Sequence, residues 1–181
     1  MLATPWKLPG VHNPELSKLR VLAHPLRMRI LSLLTGAAMS AAEVARELDD
    51  SQPNVSYHLR RLHDAGLLHV AEQVSIRGGR AKRYRHDPDS GVGLHTHDPE
   101  EEQLLAAVLG EELRRRTAYR LPDSGTTTDA ELWVDPRVWQ QCLDQARELG
   151  RVLHEAAKPP RTPGTRRVST TIAMFAMDPK R

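Results

Sequence analysis

Apolar residues recur at helical spacing through the first third of the chain, and the breaks in that rhythm fall at capping and turn residues. Asn13 as cap and Pro14 at the first helical position open a helix whose Leu16, Leu19 and Leu22 share a face. His24-Pro25 breaks it, and Pro25 begins a second helix in which Leu26, Ile30, Leu33 and Leu34 face a core and Gly36 ends the run. Ser40-Ala41-Ala42-Glu43 has the spacing of a capping box, which predicts a short helix to Leu48 burying Val44 and Leu48. After the tight Asp49-Asp50 turn, Ser51 to Leu62 repeats the period: Val55, Leu59 and Leu62 fall on one side, and Pro53, Tyr57 and Arg60 point away. Asp64-Ala65-Gly66 stops this helix with glycine at the expected left-handed position.

The period then changes. Leu67 to Ile76 reads as a strand, Arg77-Gly78-Gly79-Arg80 as a hairpin turn, and Ala81 to Arg85 as the returning strand, with Tyr84 turned inward. Residues 88–97 form a hinge by composition, with Pro88, Ser90, Gly91 and Gly93. Asp98 and Pro99 open a long helix to about Tyr119, acidic in its first turn and basic in its last, as the helix dipole favours. Its stripe of Leu104, Leu105, Val108, Leu109 and Leu113 needs cover from a symmetric mate or from the C-terminal segment. Past a linker at 121–128, Glu131 to Val134 reads as a short strand, Asp135-Pro136 starts a helix to about Ala157, and Arg166 to Met177 reads as a second strand. That helix is expected to bury Trp139, Leu143, Ala146, Leu149, Val152 and Leu153, with the two strands paired antiparallel against it. Five parts follow: an arm at 1–12, a helix-turn-helix with hairpin at 13–87, the hinge, a dimerisation helix at 98–120, and a C-terminal helix-plus-strands segment at 121–181.

The expected class is thus mainly α with a β-hairpin wing, a winged helix-turn-helix, plus a small α/β appendage. Chemistry sharpens this. The outward side of the fourth helix offers amide, hydroxyl, phenol and guanidinium groups, which suit base edges and phosphates. From Arg77 to Arg85 the charged residues are all basic, which suits a wing lying along a phosphate backbone or entering the minor groove. The candidate DNA-contacting residues are Ser40, Ser51, Gln52, Asn54, Ser56, Tyr57, His58, Arg60, Arg61, Arg77, Arg80, Lys82 and Arg83. His58 sits at the edge of the apolar side, where a packed histidine is the competing reading. Arg27 and Arg29 lie off the apolar stripe of their helix, as a solvated face or as phosphate contacts. A polar helical hairpin without DNA remains the plain alternative for the two helices taken alone.

Composition changes little. The chain has 181 residues, a formal charge of +3 and a single cysteine, Cys142, which cannot form an internal disulfide and fits a reducing, cytoplasmic setting. Met1 to Gly10 is not a signal peptide, Trp6 in that arm is expected to pack on the body or a mate, and no stretch approaches the roughly 20 apolar residues that span a bilayer. His86, His95 and His97 are the one histidine cluster and weak candidates for zinc or nickel, because their loop gives no fixed scaffold. No nucleophile with a base, no paired carboxylates and no phosphate-binding glycine loop point to an enzyme or to a cofactor. Trp133, Trp139 and Phe175 are read as core, with a pocket for an apolar effector as the alternative.

Leu22-Ala23-His24-Pro25-Leu26-Arg27-Met28-Arg29-Ile30-Leu31, Ser51 to Leu59, and Leu62-His63-Asp64-Ala65-Gly66-Leu67-Leu68, in that order, resemble the ArsR-type winged helix-turn-helix transcriptional regulators over roughly residues 13–87. The resemblance implies a homodimer on double-stranded DNA, usually a repressor, whose operator affinity changes with a small-molecule or metal effector. It also implies pairing through the flanking helices, with Leu16, Leu19, Leu104, Leu105, Val108 and Leu109 as the candidate interface. The thiolate sensor of that family needs cysteines on the helix before the recognition helix; here that helix ends Glu47-Leu48-Asp49-Asp50, so that sensor is lacking. A sensor acting through the hinge or C-terminal part, and a protein-binding adaptor, are the rival functions.

Overall fold

A computed structural model describes residues 14–76, 79–87, 90, 98–122 and 125–179. Its elements are α1 (Pro14–Leu22), α2 (Pro25–Gly36), β1 (Met39–Ser40), α3 (Ala41–Leu48), α4 (Gln52–Asp64), β2 (Leu68–Ile76), β3 (Gly79–His86), α5 (Pro99–Thr117) and α6 (Pro136–Ala156). The helix starts follow from local chemistry. His24 Nδ1 accepts from the Leu26 N–H at 3.2 Å, Ser51 Oγ from the Asn54 N–H at 3.3 Å, and Ser40 and Glu43 close the capping box reciprocally. Asp49, in the left-handed region at φ 53, turns the chain between α3 and α4, and Gly66 at φ 71 ends the hairpin of helices.

One core forms where the apolar faces of α2, α3 and α4 meet the base of the sheet. Ile30, Leu34, Val44, Val55, Leu59, Leu62 and Leu67 are fully buried there, and Leu22, Leu33, Leu48 and Tyr84 pack around its edge. Each fully buried aliphatic side chain of this kind stabilises the fold by about 1.5–3 kcal/mol. The sheet is antiparallel in the order β1-β3-β2. β2 and β3 pair from Leu68↔His86 to Ile76↔Gly79, with a bulge between Val70 and Glu72, and the two residues of β1 pair Met39↔Tyr84 and Ser40↔Arg83. This is a winged helix-turn-helix, and its β1 lacks any sequence signal: two residues carry no periodicity, and their strand character comes from the edge of β3 beside them.

α5 lies against α1 and α2. Its body-facing side carries two buried carboxylates three turns apart, Glu101 and Glu112. Arg20 Nε reaches Glu101 at 3.3 Å, Arg29 Nε donates to Glu112 at 2.8 Å, and Arg115 binds the same carboxylate at 2.7 Å. Arg29 is therefore a tie between α2 and α5 rather than a solvated side chain. Burial pushes the Glu112 carboxyl up, but the hydrogen bonds from Arg115 and Arg29 overcome this and hold it below its usual value. Leu105, Val108 and Leu109 are half-buried on α5, whereas Leu104 and Leu113 stay exposed. Leu19 is buried within the chain, so as a direct dimer contact it is withdrawn; α1 spends that side chain on its own fold. The Leu16 side chain lies outside the described residues.

The C-terminal segment departs furthest from expectation. α6 forms as its caps predict, with Asp135 Oδ1 accepting from the Arg137 N–H at 2.8 Å. Residues 131–134 and 166–177, however, are extended without a strand ladder, and α6 buries none of its residues. The expected antiparallel pair is therefore absent within the chain, and an isolated two-stranded pair is marginal without a surface to lie on. Trp133 is 87% exposed and Phe175 72%, which removes both from the core; Trp139 is half-buried. After α6 the chain returns to the helix-turn-helix. The Lys158 carbonyl lies so close to Gly36 that a Cβ there would meet it at 2.5 Å, and Arg161 binds Glu47 of α3 bidentately at 2.8 and 3.1 Å.

Candidate nucleic-acid interface

Three elements converge on one open cleft of about 660 Å³: the start of α3, the outward side of α4, and the wing. Ser40, Gln52, Ser56, Arg60, Arg80, Lys82 and Arg83, all singled out by the sequence, line it, together with Arg46, which was not. Arg46 lies on α3, on the side away from Val44, and its Nε donates back to the Ala42 carbonyl at 3.3 Å. The signal that could have found it is its place on the polar side of α3, opposite Val44, in the helix that opens at the Ser40 cap. Five basic side chains and one carboxylate, Glu43, therefore line the cleft.

Not all five are free. Arg83 sits in the central strand, where its guanidinium donates to Glu72 at 2.7 Å and to the Ala38 carbonyl at 2.6 Å and lies 3.4 Å from Glu43. Its expected contact with DNA is corrected to a clamp binding β3 to β1, β2 and α3, because neighbouring carboxylates already satisfy its charge. Burial pushes the Glu43 carboxyl up, and the hydrogen bonds from Ser40 with the charges of Arg83 and Arg46 more than reverse this, so it stays ionised. Arg46, Arg60, Arg80 and Lys82 remain as exposed cations without a carboxylate partner among the described residues. Arg80 and Lys82 alternate along β3 and so stand on one face of the wing, opposite Ser75 and Gln73. Arg77 lies outside the described residues.

Along α4, Gln52, Asn54, Tyr57, Arg60 and Arg61 are exposed and Ser56 is half-exposed. One carboxylate stands at the mouth of this surface. Asp50 Oδ1 accepts the Asn54 side-chain amide at 3.0 Å and the Ser51 N–H at 2.6 Å. Those hydrogen bonds, Asn54 first, hold its carboxyl below the usual range. Asn54 is thus pre-oriented by an anion at the mouth of the helix, and Ser51 and Ser40 are occupied as caps.

His58 is the second correction among the candidates. It is 6% exposed, because it falls three residues after Val55 and four before Leu62, on the inward side. Its ring lies 4.6 Å from that of His24 and meets Tyr57 edge-on at 5.1 Å. Burial first, then the positive neighbourhood of His24 and Arg27, lowers its pKa, so it is neutral packing behind the recognition surface. Arg27, half-buried beside it, donates to the Arg20 carbonyl at 3.3 Å.

Of the three clustered histidines, His86 lies among the described residues. His86 Nδ1 lies 2.9 Å from Thr35 Oγ1, and its ring is 6.4 Å from that of His154. Since Thr35 gives its proton to the Leu31 carbonyl at 2.9 Å, His86 donates from Nδ1. His95 and His97 lie outside the described residues, and no group of three potential metal ligands occurs among those described. No helix of the described residues is long and apolar enough to cross a membrane.

A family described as Helix-turn-helix domain matches residues 22–71. An uncharacterized HTH-type transcriptional regulator of Methanocaldococcus jannaschii, MJ0229, is 42% identical over 62 residues, 34% of this chain and 63% of that protein. The transcriptional repressor SdpR of Bacillus subtilis is 35% identical over 49 residues, 27% of this chain and 54% of that protein. The chain thus spans less than two thirds of either curated relative. A crystal structure of a MarR family transcription regulator, SP03579, aligns over 80% of this chain and 82% of its own at 17% identity and a TM-score of 0.32. Residues 22–71 run from the end of α1 into the first strand of the wing, so the match covers α2, α3 and α4 with their caps and ends before the wing residues that line the cleft.

Proposed function

We propose that this chain is a sequence-specific DNA-binding transcriptional regulator of the ArsR type, a homodimeric repressor acting on inverted-repeat operators. The single observation that carries this reading is the cleft in which Arg46, Arg60, Arg80 and Lys82 gather beside the exposed face of α4. A duplex in that cleft would place α4 in the major groove and the wing along the adjoining backbone. Gln52, Ser56, Tyr57 and Arg60 then meet base edges, Arg46 and the wing cations meet phosphates, and Asn54 reads a base from the orientation Asp50 gives it. Two copies related by a two-fold axis would select half-sites about one helical turn, or a multiple, apart. The exposed Leu104 and Leu113 of α5, with the half-buried Leu105, Val108 and Leu109 beside them, are the face for the mate in the manner of that family.

Selection of bound genomic fragments tests this reading directly: a shared inverted repeat among the fragments supports it, and retention of random sequence alone counts against it. On the selected operator, Arg60→Ala and Tyr57→Ala should each weaken specific binding by about 1–3 kcal/mol and blur the preference at one position of each half-site. Equal losses on operator and on random duplex would remove base reading from this helix face.

A further inference from the structure

Eleven of the sixteen large hydrophobic side chains exposed among the described residues lie between Leu132 and Met177. They fall on three pieces of chain: Leu132, Trp133 and Val134 before α6; Val138, Leu149 and Val152 along one edge of α6; and Val168, Ile172, Met174, Phe175 and Met177 on the tail. The opposite edge of the same α6 stripe, with Trp139, Leu143, Ala146 and Leu153, is half-buried against the chain. Its outer edge therefore lacks cover while its inner edge has it. Among residues 166–177 no backbone group pairs with the backbone of another described segment; the Thr170 carbonyl accepts from Arg116 at 3.3 Å, and Thr171 Oγ1 accepts from the same guanidinium at 2.8 Å. Arg167 stands 5.7 Å over the Tyr119 ring. The tail is thus tethered at its near end to the end of α5, and beyond Thr171 it is a strand-forming sequence with a vacant ladder and an apolar surface.

We infer that this surface is an interface with a second copy of the chain, in which the tail of each copy pairs as a strand with residues 131–134 of the other and closes over the outer edge of that copy's α6. The same three pieces that fail to assemble within one chain have the composition of a small sheet on a helix, so a symmetric exchange satisfies each with its own complement. Area supports the occupant. The chain exposes 14271 Å², against about 8,800 Å² for a compact monomer of 20.3 kDa. That excess, shared among all the exposed segments of the chain, is several times the roughly 800 Å² per partner of a standard interface. Arg166 and Arg167 at the near end disfavour a parallel, in-register pairing of two tails, because like charges would then lie opposite one another. The pairing with 131–134, which begins at Glu131, brings opposite charges near each other instead. This inference is independent of DNA binding and adds a contact to the α5 face of the proposed dimer.

The test uses the full chain and two exposed positions, Ile172→Lys and Phe175→Asp, which touch nothing in the winged-helix core. Dissociation constants come from sedimentation equilibrium, and amide exchange is followed at residues 131–134 and 168–176 over a concentration series. The expected result is a dimer whose amides in both segments become protected as concentration rises, and a dissociation constant raised about thirtyfold or more in the double variant, as at an interface hot spot. Leu104→Asp provides the parallel arm for the α5 face: dimer loss there with tail protection unchanged, and no effect of the tail variant, would overturn the exchange while leaving the α5 reading intact. A monomeric parent, or tail amides protected equally at all concentrations, would also overturn it, the latter by showing that the chain covers its own tail.

Discussion

If the cleft holds duplex DNA, the salt dependence of binding should count its free cations and ignore its neutralised one. Arg46, Arg60, Arg80 and Lys82 are exposed and form no ion pair among the described residues, whereas Arg83 is held by Glu43, Glu72 and the Ala38 carbonyl. On random duplex, where Arg60 has no cognate base and turns to phosphate with the other three, the four free cations of each copy supply at most eight phosphate contacts in a dimer, which gives a slope of log affinity against log salt of about −7. Replacing Arg80 and Lys82 by Gln removes four, so the slope should fall to about −3.6. Between roughly 50 and 200 mM salt the parent then loses about 10⁴-fold in affinity and the wing variant about 10²-fold. Arg83→Gln removes the same formal charge per residue, yet its slope should stay with the parent's, because that charge is already spent inside the protein. Its cost should appear instead in thermal stability, where two ion pairs and a hydrogen bond between strands and α3 are lost. Fluorescence anisotropy with a labelled random duplex at five or more salt concentrations measures all three. A wing variant that keeps the parent slope, or an Arg83 variant that flattens it as much per charge as Arg80 or Lys82, refutes the assignment of phosphate contacts.

Two further outcomes concern stability. His86 is pushed down to about 4 by burial first and by His154 next, with Asp87 opposing, against 6.5 in the unfolded chain. Its neutral form therefore contributes stability that is whole above pH 6.5 and is lost as pH falls towards 4, by about 2–3 kcal/mol. Urea unfolding at pH 7.5 and 5 should show this loss, and His86→Gln should reduce it; an unchanged difference would mean His86 is not the group responsible, since His24 and His58, lowered in the same sense, would then account for all of it. Gly36→Ala should destabilise by about 1–3 kcal/mol, because the new Cβ would meet the Lys158 carbonyl at 2.5 Å and lift the returning chain from α2. Ser32→Ala, exposed on the same helix, is the control and should be neutral or slightly stabilising; equal effects would mean that the contact at Gly36 is not maintained in solution.

The winged-helix half was legible because each of its signals is local. Periodicity gave the inward residues of α2 and α4, side-chain caps fixed where α3, α4, α5 and α6 begin, and the turn residues placed the breaks. What escaped was decided by partners distant in sequence. β1 exists because β3 lies alongside it, Arg83 lost its place among DNA contacts because Glu43 and Glu72 arrive from α3 and β2, and Arg29 pairs with a glutamate 83 residues away. His58 is a different kind of miss, since its spacing from Val55 and Leu62 already placed it inward; polarity weighed too heavily against position. In the C-terminal segment the β-forming composition of 166–177 predicts a strand that the structure does not form within the chain, because composition does not say what supplies the neighbouring strand.

The connections between the two halves have a common form. α5 docks on α1 and α2 through Glu101, paired with Arg20, and Glu112, paired with Arg29 and Arg115, and the chain after α6 docks on α3 through Arg161 and Glu47. Ion pairs of this kind contribute little net stability, since desolvation offsets most of their attraction and exposed pairs are worth about 0–1 kcal/mol. What they fix is geometry. Arg161 holds its bidentate contact from a left-handed backbone, φ 62, a conformation that a non-glycine residue keeps when its surroundings demand it, and Pro159 and Pro160 stiffen the approach. α3 is the helix that braces α4, so the position of the recognition surface is set from one side by the apolar core and from the other by a contact that is specific in direction but weak in energy. A dimer closed through the C-terminal tails would act on α4 through that contact, by moving a clamp rather than by repacking a core.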